Sequence, residues 1–178
     1  MSRRVFSFDP PDRFACGAIG QPGQRTFFLQ AAKGEQVVSV ALEKVQVAVL
    51  AERMAALLLG LRNEGVEVDW DQPTAPLPLV EPVHEDFRVG ALTLGWDTER
   101  RQVLIEAREV SDEDEDDAAT SLADAPDMVR VSLQPAEAQA FVSRALAVVQ
   151  AGRPLCPYCG EPLDPNGHFC PRRNGYAH

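Results

Sequence analysis

Three cysteines fall within CPYCGEPLDPNGHFC, residues 156–170: Cys156, Cys159 and Cys170, with His168 two residues before the last. A Cys-x-x-Cys turn can bring two thiolates onto one ion, and Gly160 directly after it suits a tight backbone turn. In an extended segment His168 and Cys170 lie on the same side, so both can close a tetrahedron. Three thiolates and an imidazole suit zinc, and four protein ligands leave no place for water or substrate, so the expected ion is structural. His178 offers a second imidazole, but it lies at the extreme terminus, where order is hard to maintain. The competing readings are thiols without a ligand in a flexible tail, and a redox pair. The redox reading is weakened because the motif does not open a helix after a strand. With almost no apolar core in the last 23 residues, the ion would supply most of the tail's folding energy.

Elsewhere the chemistry is sparse. Gly17, Gly20 and Gly23 are spaced G-x-x-G-x-x-G without the strand-to-helix setting of a dinucleotide site or the Gly-Lys-Ser/Thr of a phosphate loop. Turn formation explains them, with a small backbone anion site beside Arg25 as the functional alternative. Cys16 reads as an inert buried thiol in a strand. His84, in the segment 81–86, reads as a surface histidine beside acids, or as a base oriented by Glu85 or Asp86. Asp9, Asp12 and Arg13 read as turn caps, or as a polar cluster with Arg25. The enzymatic alternative is therefore action on a phosphorylated or nucleotide substrate near Arg13, Gly20, Gly23 and Arg25, with His84 as base.

Of 178 residues, 45% are hydrophobic and 25% charged, which excludes wholesale disorder and fibrous repeats. The 27 acids outweigh 17 bases for a net charge of -10, which disfavours nucleic acid as the main partner. No apolar run reaches the length of a membrane span and none follows Arg3-Arg4, so a soluble, cytoplasmic protein is expected. The acidic run 111–117 lacks the glycine and terminal glutamate of a calcium loop and reads as a solvated, mobile insertion within 111–127. Residues 151–178 carry a local charge of +1. Arg172 and Arg173, with Tyr176, are the best candidates for docking an anion or an acidic surface.

The elements that would position these groups follow from periodicity. Strands are expected at 5–8, 14–19, 26–30 and 36–42, then a helix at 43–63 whose stripe is Leu50, Met54, Leu57 and Leu61, widened by Leu58. The proline-rich stretch 70–82 reads as an extended surface connection anchored by Trp70 or Leu77. Strands return at 87–96, 102–110 and 128–133, and a helix at 135–150 ends the series. FACGAI (14–19) matches FRVGAL (87–92) at an offset of 73, RTFFLQA (25–31) matches RQVLIEA (101–107) at 76, and VSVAL (38–42) matches VRVSL (129–133) at 91. At that last offset Arg53 meets Arg144. The expected fold class is α+β: two β-β-β-α units in a pseudo-twofold, two-layer domain of about six strands. That domain spans 1–152 and is followed by a zinc knuckle at 153–178.

In combination, VFSFDPPDRFACGAIGQPGQRTFFLQA, RVGALTLGWD, VRVSLQPAEAQAFVSRA and CPYCGEPLDPNGHFCPRRNGY resemble the actinobacterial proteins grouped as domain of unknown function 3090. The resemblance implies a small cytoplasmic protein of unassigned activity with a zinc-ribbon-like tail, encoded near a phosphatase-like and a kinase-like protein. It favours His168 over His178 as ligand and supplies no catalytic residue. The expected function is an interaction or regulatory module without intrinsic catalysis, holding structural Zn2+ and meeting a protein partner through the tail. A nucleic-acid binder using the knuckle is the other alternative.

Overall fold

A computed structural model describes residues 3–68, 70, 74–111, 126–152, 155–161, 163, 170 and 172. Its elements are β1 (Val5–Phe8), β2 (Arg13–Ile19), β3 (Thr26–Lys33), β4 (Gln36–Leu42), α1 (Lys44–Asn63), β5 (Phe87–Asp97), β6 (Gln102–Glu109), β7 (Met128–Leu133) and α2 (Pro135–Gln150). Short loops join β2-β3-β4 and β5-β6, and β6 pairs with β7 across the longer connection 110–127, so both β2-β3-β4 and β5-β6-β7 are antiparallel meanders. The meanders join where β4 meets β5 in parallel over two residue pairs, Val40 with Phe87 and Ala41 with Arg88. Ser39 and Asp86 fasten this short seam: the Asp86 N–H donates to Ser39 O (2.8 Å), and the Ser39 N–H donates to Asp86 Oδ2 (2.9 Å).

The result is one seven-stranded mixed sheet, ordered β1-β7-β6-β5-β4-β3-β2. Six strands belong to the two β-β-β-α units. The seventh, β1, lies outside both and runs parallel to β7. Its attachment is ionic as well as backbone-mediated, since Arg4 grips the Asp127 carboxylate through its backbone N–H (2.8 Å) and its Nε (2.6 Å).

Each helix covers the first strand of the other unit, α1 on β5 and α2 on β2, and the helices pack on each other. This reciprocal packing embodies the pseudo-symmetry. The caps repeat too: the Glu43 N–H donates to Gln46 Oε1 and the Gln134 N–H to Glu137 Oε2, both at 2.8 Å. In α1 the buried stripe is Val47, Leu50, Ala51, Met54, Leu58 and Leu61, which leaves Leu57 half-buried at its margin. From α2, Phe141 stacks on Phe14 with centroids 4.6 Å apart. The sheet folds over itself, so β2, β3, β4, β6 and β7 line one interior that retains a void of only about 10 Å³. Cys16 belongs to this core, and burial pushes its thiol up to about 12.

The two units differ on the opposite face. On β6 and β7, Glu106 accepts hydrogen bonds from Arg130 and Arg108 in a solvated charge ladder. On β3 nearly every residue is buried, because residues 74–86 lie as a strap across that face. Gln30, 3% exposed, holds the strap by accepting from the Val80 N–H (2.6 Å) and donating to Val80 O (3.1 Å) and Ser39 Oγ (3.0 Å). Leu79, not Leu77, presses onto the sheet at Gly17, where an added Cβ would stand 2.6 Å from the leucine side chain. Trp70 packs partly against the core. The acidic run 112–117 falls outside the described residues.

Gly17→Val should lift the strap and cost about 1–3 kcal/mol of stability, measured by denaturant unfolding. In the folded protein at about pH 8, Cys16 should resist iodoacetamide and react once the chain is unfolded, as read by peptide mass mapping. The same raised thiol contributes stability that is whole below the ordinary thiol range and is lost as pH rises toward about 12.

Candidate metal centre

The chain leaves α2 at Ala151, whose carbonyl accepts a hydrogen bond from Arg25, and reaches the cysteine loop within a few residues. The loop closes on itself: the Gly160 N–H donates to Cys156 O and the Cys156 N–H to Glu161 O, both at 2.8 Å. Gly160 makes this possible at φ +76°, a left-handed conformation that side chains rarely adopt. The closed loop turns Cys156 and Cys159 toward Cys170, fourteen positions after Cys156.

The three Sγ atoms all lie within 4.8 Å of one another, with Cys156 and Cys170 at 3.9 Å. A disulfide needs about 2.05 Å. Two thiolates held about 2.3 Å from one tetrahedral zinc stand about 3.8 Å apart. Among the described residues none of the three forms a disulfide. Cys156 is 3% exposed and Cys170 0%. Desolvation, followed by hydrogen bonding with the Cys156 and Cys170 thiols, pushes Cys159 up despite a backbone hydrogen bond that pulls it down. Three sulfur donors converging on one point fit a cation that stabilises their thiolates together. The cluster can therefore hold a metal ion. His168 and His178 lie outside the described residues, as do Arg173 and Tyr176.

Around the cluster, Leu155 and Tyr158 are 65% and 50% exposed, and Arg172 donates to Tyr158 O at 3.4 Å. The exposure of Leu155 and Tyr158 escaped the sequence reading. The available signal was a pair of bulky apolar side chains in a segment too short to bury them.

The enzymatic constellation does not assemble. Arg13 begins β2 and Arg25 follows its far end, so the seven residues of β2 separate them by about 20 Å. Arg13 donates to Pro78 O (2.7 Å), whereas Arg25 is engaged at the end of α2. His84 is exposed on the approach to β5. Gly20 and Gly23, both at positive φ, serve the β2–β3 turn. Asp12 accepts from the Gly34 N–H (2.7 Å), a turn-capping contact, while Asp9 pairs with Arg100 rather than Arg25. No helix among the described residues is long and apolar enough to cross a membrane.

Comparison with known proteins agrees with the sequence motifs. No curated protein and no solved structure matches the chain. A family model described as a protein of unknown function, DUF3090, matches residues 6–170, from β1 to the last clustered cysteine. The chain therefore belongs to the DUF3090 family, whose matched region contains both β-β-β-α units and the Cys156–Cys159–Cys170 cluster.

Proposed function

We propose that the protein is a zinc-bearing recognition module in which the ion organises residues 153–178 into a contact surface for a protein partner. The reading is carried by the convergence of three thiols, two of them buried, in a segment without a hydrophobic core of its own. His168 completes the tetrahedron, and four protein ligands make the zinc structural. Such an ion fixes shape and leaves recognition to side chains around it: Leu155, Tyr158 and Arg172, joined by Arg173 and Tyr176. Tyr and Arg are residue types enriched among interface anchors, and Leu155 adds apolar contact area beside them. The modest positive charge of the tail within an acidic chain favours an acidic protein surface over a polyanion such as RNA.

Purified protein should contain about one zinc per chain by elemental analysis. Cys16→Ser should retain it, whereas Cys170→Ser and His168→Ala should lose it during dialysis. With about 10–16 kcal/mol of zinc binding spread over four ligands, each loss removes roughly 3 kcal/mol, about a hundredfold in affinity. Zinc-free wild type, or full retention in His168→Ala, would refute the respective assignment. For recognition, full-length Tyr158→Ala and Arg172→Ala should keep their zinc yet lose partners that co-purify with wild type. An unchanged set of partners would refute the tail surface.

A further inference from the structure

A groove of about 530 Å³ runs beside β2, between the strap and α2. Its size falls in the range of small-molecule sites. Ile19, Leu77, Pro78 and Val148 give it apolar walls, and Arg144 of α2 enters it. Arg144 donates to Ala75 O (3.4 Å), while Arg13 donates to Pro78 O (2.7 Å), so two guanidiniums from opposite ends of the sequence grip the same four-residue stretch of strap.

Neither arginine has a carboxylate partner among the described residues, and the Nε of each is buried without an acceptor. Glu81, also on the groove, pairs with neither. Burial, and then the Arg13 charge, draw Arg144 below its ordinary range. It nevertheless stays ionised, because guanidinium is too basic to release its proton. Arg144 lines the groove and Arg13 meets its strap wall at Pro78, so an anion entering there supplies the charge that both lack. The other unit gives the contrast: Arg53, the repeat equivalent of Arg144, is exposed on α1 in a groove beside β5 that the strap does not border.

We propose that the groove binds an organic phosphate monoester, with the phosphoryl group between Arg13 and Arg144 and the organic body against Ile19, Leu77 and Val148. Charge selects this class. A phosphate monoester carries about -1.5 to -2 at neutral pH and matches two guanidiniums, whereas a carboxylate leaves one uncompensated. Guanidinium forks also suit the several acceptor oxygens of a phosphoryl group. The site uses no residue of the metal centre and stands independently of its assignment.

Calorimetric titration of the full chain with phenyl phosphate, at about 0.15 M salt, tests the assignment. Wild type should show saturable one-site binding, weakened about tenfold or more in Arg144→Met and Arg13→Met. Arg53→Met should bind as wild type does, and benzoate at least about tenfold more weakly than phenyl phosphate. Arg144→Lys, which keeps the charge but loses the fork, should fold and bind several-fold more weakly, giving a readout should the methionine variants unfold. Absence of saturable binding by about 10 mM, an equal loss in Arg53→Met, undiminished affinity in Arg144→Lys, or benzoate binding as tightly as phenyl phosphate would each overturn the proposal.

Discussion

Each helix of this fold finds its apolar partner in the other unit: α1 lies on β5, α2 on β2, and the two helices on each other. That exchange of cover is the constraint from which the architecture follows. A single β-β-β-α unit would expose both its helix stripe and the inner face of its first strand, so neither half has a core alone. The direct seam between the meanders is only two residue pairs of β4 and β5. The helices, and the core beneath them that includes Phe14 against Phe141, do more to hold the halves together than the ladder does.

The units then diverge where packing permits. One outer face is a charge ladder on Glu106 that water can solvate, while its counterpart is buried under the strap through Gln30, Ser39 and Leu79. Burying the polar ends of Gln30 is tolerable because the strap backbone at Val80 and the Ser39 hydroxyl satisfy them. The strap therefore completes the core of one unit and at the same time forms a wall beside β2. The tail solves a different problem. Its sequence has few apolar residues, and its clustered thiols can hold a metal ion.

Local signals in the sequence reached far. The repeat offsets located both meanders and both helices because each copy preserves strand alternation, turn positions and helix period. Cys156, Cys159 and Cys170 were legible because ligand spacing is itself local. The losses came from contacts that spacing does not encode. Four residues of β1 read as a strand, but nothing in them says that they pair with β7, more than a hundred positions later. Both Leu57 and Leu58 fit the helix period, but only Leu58 is fully buried, a difference set by which elements α1 packs against rather than by spacing. Of the expected strap anchors, Trp70 or Leu77, Trp70 does pack against the core, whereas the contact of Leu79 with Gly17 went unread because a leucine facing a glycine on the sheet is a tertiary match. The Arg13–Arg144 pair was invisible for the same reason, since the strap that unites them is a tertiary object.

The charge balance gives that pair its meaning. In a chain with 27 acids and 17 bases, carboxylate partners for arginine are plentiful. Arg4, Arg88, Arg100, Arg108 and Arg130 all form ion pairs. Arg13 and Arg144 form none among the described residues, although they are half-buried, where an unpaired cation is more unfavourable than on an open surface. Backbone carbonyls of the strap satisfy one donor on each and neutralise neither charge. The two contacts anchor the strap, yet they leave two like charges near each other without a counter-charge. Arg53, at the equivalent place in the other copy, is exposed to water instead. On the proposed reading an anionic ligand supplies the charge that the strap carbonyls cannot.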